Sequence, residues 1–440
     1  MTLSKEKDGG SPAHILPENV AGVDKRYIFM YNVFYKLRKE RAMGALTVLA
    51  VHNRYKLAGG EDAVFANEVA MLKKNGHKVI EYTRDNKEID SFGFFRKLCL
   101  PFASIFSRKT YKDVKRIIKK EGVDIVHIHN TTTLISPSVF RAARKCGVPA
   151  VQTLHNFRMV CPNGILCREA GICERCVEAG GYSPAIKLGC YRDSKIQTLI
   201  LSTVMRLHTF FGTYRRAYYI ALTDFNKEKL LSADKKQKRF SPDRIFVKPN
   251  FKAVDTQPES AERKKQIVFV GRLEWLKGVR VLLDAWRDIN GYELILYGDG
   301  PLREECEATV EKYGLSNVKV MGSVPNGEVL REISRSAALI LPTQCYEGFP
   351  VTIAEAFACA TPVLTSNIGN PAMLVTDGVT GYTFDAKSPK SIVEAVGKLQ
   401  NARLYENCRE VYEKKYTETA NYTRLLSIYE KIINEEKTPH

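Results

Sequence analysis

No uninterrupted apolar run in this chain approaches the roughly eighteen residues that a membrane-crossing helix needs. The nearest candidate, residues 196–219, is broken by Arg206, His208 and Arg215. The first twenty residues are polar and hold no apolar core of a secretory signal. The expectation is therefore a cytoplasmic protein with reduced thiols. Neither the Gly-x-Gly-x-x-Gly fingerprint nor a P-loop occurs, which disfavours classical dehydrogenases, kinases and P-loop NTPases. Negative charge is scarce in one part of the chain. Residues 1–250 carry 44 Lys and Arg against 23 Asp and Glu, a net of +21, whereas the remainder nets −3 of the overall +18. Such segregation implies an anionic partner for the first part: a membrane surface, a phosphorylated substrate or nucleic acid.

What is present reads as a large soluble protein. At 440 residues, 44% hydrophobic and 26% charged, the chain has room for two or three domains. Residues 1–44 form a polar leader followed by a basic, aromatic stretch (24–42) with helical character. From residue 45, apolar strands (45–53, 77–83, 124–130, 149–156, 218–223) alternate with helical stretches such as 61–75 and 136–146. Near-continuous apolar strands between amphipathic helices indicate a parallel sheet covered on both faces. Polar residues 252–265 then read as a linker. A second series follows at 266–273, 292–300, 317–324, 337–343 and 361–366. The expected organisation is a Rossmann-like domain over 45–251 and another over 266–440, with a C-terminal helix able to pack back on the first. Ligands of such sheets bind beyond the carboxyl ends of the strands, which puts the site in the cleft.

Several short stretches carry candidate chemistry. Gly59 and Gly60, between the first strand and first helix, let a backbone approach a phosphate or polarised oxygen; a plain turn fits them equally. In "VGRLEWLKG", Gly271, Arg272 and Lys277 have the same strand-to-helix layout, and two cations at a helix mouth suit a diphosphate. Solvated loop cations are the competing reading. In "YEGFPVTIAEAFACA", Pro350 suits a helix start, so Glu347 and Gly348 sit at its mouth and Glu355 lies on its second turn. A carboxylate in so apolar a helix needs partners, and a sugar diol offers two hydroxyls to one carboxylate. Cysteines gather at 161, 167, 173, 176 and 190 within an insertion at 157–195. Cys161, Cys173, Cys176 and Cys190 have zinc-knuckle composition, with Cys167 as a spare; a redox pair or unlinked thiols remain open. Residues 91–109 mix Phe with Lys and Arg, as interfacial helices do, although the same apolar face could pack on the sheet.

Together, "GRLEWLKG", "YGDGPL", "EGFPVTIAEAFACATPVLTS" and "DGVTGYTF" resemble the donor-binding domain of retaining GT-B glycosyltransferases, glycosyltransferase family 4. "HNRYKLAGGEDAVF" and "DIVHIHN" resemble the acceptor-binding domain of that family, and the resemblance spans about residues 45–430. It implies two Rossmann-like domains facing across a cleft and a hexosyltransferase that retains anomeric configuration. It implies that Glu355 grips the ribose diol of a nucleotide sugar, and that Glu347 with the backbone of Gly348, Phe349, Pro350 and Val351 holds the sugar and diphosphate. Arg272 and Lys277 then stabilise the leaving diphosphate, standing in for the metal that other sugar-transfer folds bind through an Asp-x-Asp triplet, absent here. His155 matches the family's catalytic histidine. One departure is Met373, where the family commonly has Glu.

The leading expectation is transfer of a sugar to a lipid-linked or oligosaccharide acceptor, in cell-surface polysaccharide or glycolipid synthesis. It includes peripheral contact with the anionic inner face of the cell membrane, no nucleic acid, no catalytic cofactor, and zinc as one reading of the cysteines. The rivals are a nucleotide-sugar epimerase of the same fold and a zinc-knuckle nucleic-acid binder.

Overall fold

The computed structural model describes residues 44–56, 59–168, 171–234, 238–253, 263–400 and 403–437. The leader and basic-aromatic stretch, and most of the linker, lie outside the described residues. The chain divides into a unit Met1–Leu46 and a unit Thr47–His440, and the second contains everything below.

Two parallel six-stranded sheets dominate this unit. The first comprises β1 (Thr47–Arg54), β2 (Lys78–Asp85), β3 (Ile125–Asn130), β4 (Ala150–Leu154), β7 (Tyr218–Ala221) and β8 (Ile245–Val247), in the order β2-β1-β3-β4-β7-β8. Between β4 and β7 the cysteine insertion forms a two-residue antiparallel ribbon, β5 (Cys167–Arg168) with β6 (Gly171–Ile172). The second sheet comprises β9 (Lys264–Val270), β10 (Glu293–Tyr297), β11 (Val318–Gly322), β12 (Ser336–Leu341), β13 (Val363–Ser366) and β14 (Gly381–Phe384), in the order β11-β10-β9-β12-β13-β14. β3, β4, β7 and β12 are buried along their whole length, as strands covered on both faces must be. Separate cores sit beneath each sheet: Val126, Ile128 and Val139 in the first, Phe269, Leu282 and Trp286 in the second.

The strand order reverses at β1/β3 in the first sheet and at β9/β12 in the second, and crevices open at such points. The last helix, Glu418–Lys437, lies on the first domain: Tyr429 meets His127, Tyr422 meets His77, and Asn421 meets Lys248. Residues 91–109 do not form one interfacial helix. Phe94–Leu98 and Leu100–Ile105 are separate short helices broken at Cys99, with Pro101 opening the second. Among the described residues, no helix is long and apolar enough to cross a membrane.

Candidate active site between the two domains

The second reversal point gathers the loops after β9 and β12, and with them the cations and Glu347. Lys277 ends a single 3-10 turn, Trp275–Lys277, and Gly278 follows at φ 70°, where a Cβ would stand 1.8 Å from the Pro342 carbonyl oxygen. Only glycine fits there, so Gly278 seats the Lys277 turn on the loop after β12. Lys277 Nζ lies 2.5 Å from Glu347 Oε1, which also accepts from Thr343 Oγ1 at 3.0 Å. Burial works against the Lys277 charge, but the Glu347 carboxylate outweighs it and raises the ammonium above its ordinary range. Glu347 itself sits at φ 50°, a strained conformation for a non-glycine residue, of the kind that collects at functional sites. Arg272 is 71% exposed and stands 3.6 Å from Glu274. Gly271 packs beside the Phe269 ring and Lys277.

Gly348 brings the domains into contact. A Cβ there would be 2.2 Å from the carbonyl oxygen of His155, which follows β4. Pro350 caps the helix Val351–Ala358, and the Phe349 side chain turns into the core against Tyr416, leaving its backbone at the cleft. Glu355 is 5% exposed, and its partners come from the protein: Oε1 accepts from Asn326 Nδ2 at 3.2 Å and faces Lys252 Nζ at 3.0 Å. Met373 is exposed.

A polar clamp that sequence reasoning did not find holds this turn. Asn226, on the first-domain helix Asp224–Ser232, donates to the Gly348 carbonyl at 2.8 Å. Asn370 donates to the Glu347 carbonyl at 2.8 Å and to Asn226 Oδ1 at 2.6 Å, while its own oxygen accepts from Thr223. All three side chains are buried. Single Thr and Asn residues about 145 positions apart carry no spacing signal that could have announced them.

His155 stacks on His129, ring centroids 5.1 Å apart, with 3.0 Å between His155 Nε2 and His129 Nδ1. Burial, then the neighbouring His129, pushes His155 well below the ordinary imidazole range. Behind them lie His127 and Glu68, also missed by sequence reasoning, although Glu68 keeps phase with buried Val64 and Leu72 on its helix, an odd place for a carboxylate.

Gly59 and Gly60 border open space at the start of the helix Gly60–Lys74. The Gly59 amide already donates to Asp62, and Glu61 and Asp62 make this mouth acidic. That suits a hydroxyl better than a phosphate. Beside it lies a cavity of about 300 Å³, with Tyr55, Glu61 and Arg158 on its polar wall and Leu100, Leu201 and Val204 on its apolar one. Burial pushes Glu61 up to about 7, against the opposing hydrogen bond from Tyr55.

Cys161, Cys167, Cys173, Cys176 and Cys190 line one cavity of about 20 Å³. Burial pushes Cys167 and Cys176 up to about 12, so both are neutral thiols here. Among the described residues, the set of three ligand atoms within 4.8 Å of one another is Glu68, His127 and His129, which includes no cysteine. The insertion reaches the second domain next to Glu347: Tyr346 donates to Glu174 at 2.5 Å, and Lys229 joins the same oxygen at 2.7 Å.

The family model for glycosyl transferases group 1 matches residues 250–417, and that for glycosyltransferase family 4 matches residues 58–166. An uncharacterised glycosyltransferase of Methanocaldococcus jannaschii is 24% identical over 311 residues, 68% of this chain and 73% of its own. A second from that organism is 30% identical over 170 residues, covering 38% of this chain and 48% of its own. D-rhamnosyltransferase of Pseudomonas aeruginosa is 26% identical over 162 residues, 36% and 41% of the two chains. Apart from the first of these, the chain spans about half the length, or less, of the curated relatives first matched. In three dimensions it resembles a glycosyltransferase from Rickettsia africae, with TM-score 0.64, 16% identity, and 89% and 99% of the two chains covered. An Anabaena protein, HepE, solved in complex with UDP, gives TM-score 0.61 at 14% identity, with 88% and 100% covered. At these identities the likeness establishes a shared fold.

Proposed function

This chain is a group 1 glycosyltransferase of the GT-B fold, and from that premise we propose that it moves a hexose from a nucleotide sugar to an amphiphilic, lipid-linked or oligosaccharide acceptor with retention. The observation that carries the reading is that the strained Glu347–Gly348 turn, paired to Lys277, meets the His155 carbonyl across the cleft, with Arg272 exposed on the loop after β9.

Arg272 and the helix mouth at Gly348–Val351 receive the diphosphate, while Lys277 and Glu347 form a neutral pair that shapes the sugar subsite. Glu355, at the base of the same helix, takes the ribose. As the anomeric carbon–oxygen bond breaks, its electron pair passes to the diphosphate, and an acceptor hydroxyl bonds that carbon on the same face, giving up its proton to the departing diphosphate oxygen. The cavity beside Tyr55 and Glu61 takes the acceptor.

The acceptor comes from a membrane on the cytoplasmic face. Phe94, Phe95, Leu98 and Phe102 on one pair of helices, and Ile196, Phe210 and Phe211 on and just after the helix Lys195–Phe210, are 63–82% exposed. These elements pack together, with the Ile105 carbonyl 2.8 Å from His208 Nε2. Residues 91–112 and 194–223 contain no Asp or Glu, so the segments that carry the apolar ridge are themselves purely basic. Aromatic anchors among cations suit an anionic interface. The zinc reading of the cysteine insertion rests on Cys161, Cys173, Cys176 and Cys190 all lining one cavity of about 20 Å³; zinc would have to draw the thiols together there, because among the described residues no three of their ligand atoms lie within 4.8 Å of one another.

Incubation with a panel of nucleotide sugars, reading nucleoside diphosphate release with and without a lipid extract, tests the reading. Release that lipid accelerates is expected. No release with any donor refutes it.

A further inference from the structure

A buried chain of polar groups runs from His155 to the C-terminal helix. His155 Nε2 meets His129 Nδ1 at 3.0 Å, and His129 Nε2 meets Glu68 Oε1 at 3.2 Å. Glu68 Oε2 accepts from Lys248 Nζ at 2.8 Å, and that ammonium also donates to Asn421 at 2.9 Å. Glu68, His129 and Lys248 are all less than 5% exposed. One positive and one negative charge close the cluster, and the ammonium on Glu68 leaves no need for a metal ion there.

The protons can be placed by elimination. Burial raises Glu68, but the Lys248 ammonium and the neighbouring imidazoles outweigh it and hold the carboxyl well below its usual range, so Glu68 is an anion. His129 is pushed down to about 4, chiefly by burial, and His155 lower than its ordinary range for the same reason, so each carries a single ring proton. Glu68 Oε1 has His127 Nδ1 at 2.9 Å and His129 Nε2 at 3.2 Å, both off the line of a straight hydrogen bond. His127 has other partners: its Nδ1 lies 2.6 Å from the hydroxyl of the fully buried Tyr429 and its Nε2 2.8 Å from that of Thr153, and we assign Tyr429 as the donor to Nδ1, which puts the His127 proton on Nε2 toward Thr153. The proton facing the carboxylate is therefore on His129 Nε2. His129 Nδ1 is then a bare acceptor, and His155 must donate to it. The other near ring, His52, is taken up by Asp62 at 2.8 Å.

We propose that Glu68 is a positioning residue that acts through His129 to hold His155 as the Nε2–H tautomer, leaving Nδ1 as an acceptor for a substrate hydroxyl. The role in turnover rests on the assignment of His155 to the reaction; the tautomer does not. Full-length, deuterated protein with ¹⁵N-labelled histidine reads the protonation of each ring nitrogen, and His155→Asn identifies the signal. Nε2 protonated and Nδ1 bare are expected. In Glu68→Gln/Lys248→Met, which removes both charges together, His155 should become a tautomer mixture. Turnover should fall about tenfold at donor KM within twofold. His129→Phe, which keeps the Glu68–Lys248 pair, gives the same readout should the double variant not fold. Protonated Nδ1 in the wild type, or His155 signals unmoved in the folded variants, overturns the proposal. An Nε2–H His155 whose replacement leaves turnover intact instead refutes its place in the reaction.

Discussion

Gly348→Ala is the sharpest test of the cleft geometry. The new methyl would stand 2.2 Å from the His155 carbonyl oxygen, a backbone atom with no rotamer to yield. A carbon–oxygen contact stands at about 3.3 Å or more, so the domains must part by about 1 Å. The clamp cannot follow: the bonds that cross between the domains, from Asn226 to the Gly348 carbonyl and from Asn370 to Asn226 Oδ1, are 2.8 and 2.6 Å. Losing both costs about 2 kcal/mol at a net 1 kcal/mol each. A misplacement near 1 Å between reacting groups costs on the order of a hundredfold in rate. Gly397→Ala is the control, because a Cβ there meets nothing within 4 Å. The assay is kcat with the active nucleotide sugar, beside thermal melting. Gly348→Ala should lose about a hundredfold in kcat and a few degrees in Tm, with Gly397→Ala unchanged. Wild-type kcat in Gly348→Ala would refute the contact and with it the arrangement of donor turn against His155.

At the donor site, Arg272→Ala should lower kcat by roughly a hundredfold without moving Tm, whereas Lys277→Ala should lower both, since it leaves Glu347 unpaired; steady-state kinetics with melting separates them. Glu355→Ala should weaken donor binding by about 1–3 kcal/mol in calorimetric titration, and unchanged affinity removes it from the ribose subsite. Phe210→Ser/Phe211→Ser should reduce co-sedimentation with anionic vesicles and spare turnover of a soluble acceptor, with binding weakening as salt rises; equal sedimentation counts against the ridge. Protein purified without chelators should contain one zinc per chain, and slow chelation should lower Tm; metal analysis finding none excludes the site. The folded-state pKa of Glu61, about 7, lies above the unfolded value near 4.5, so the folded chain binds the extra proton and stability falls as pH rises between them. Glu61→Gln should flatten that fall in melts across pH 4.5–8.

What the sequence made legible was what repeats. Apolar runs between amphipathic helices announced both strand series, because strands buried on both faces cannot hide their composition. β14 escaped, since Gly381–Phe384 is four residues opening on a glycine. The carboxylates of the glycine–phenylalanine–proline stretch were visible as oddities, but their partners were not. Lys252 and Asn326 reach Glu355 from 103 and 29 positions away, and nothing local marks either. The Thr223–Asn226–Asn370 clamp was illegible for the same reason. The exposed phenylalanines divide likewise: Phe94 and Phe95 stood in a recognisable basic-aromatic stretch, whereas Phe210 and Phe211 ended a helix whose apolar residues read equally well as core.

The structure also separates two cations that the sequence presented as equivalent. Arg272 and Lys277 both follow β9, yet Lys277 is half-buried at 2.5 Å from a carboxylate while Arg272 is 71% exposed. A neutralised pair adds little potential at a developing diphosphate; an unburied guanidinium that can swing onto two phosphate oxygens adds more, and its planar fork suits them. The Lys277–Glu347 pair does something else. It ties the Trp275–Lys277 turn to a residue at φ 50°, and Asn370 ties that residue's carbonyl, through Asn226 and Thr223, to the first domain. Strain at Glu347 persists because both domains over-determine it. On the proposed reading, positive charge for the leaving group and rigidity for the sugar fall to different side chains, and the Tm readout in the two alanine variants distinguishes them directly.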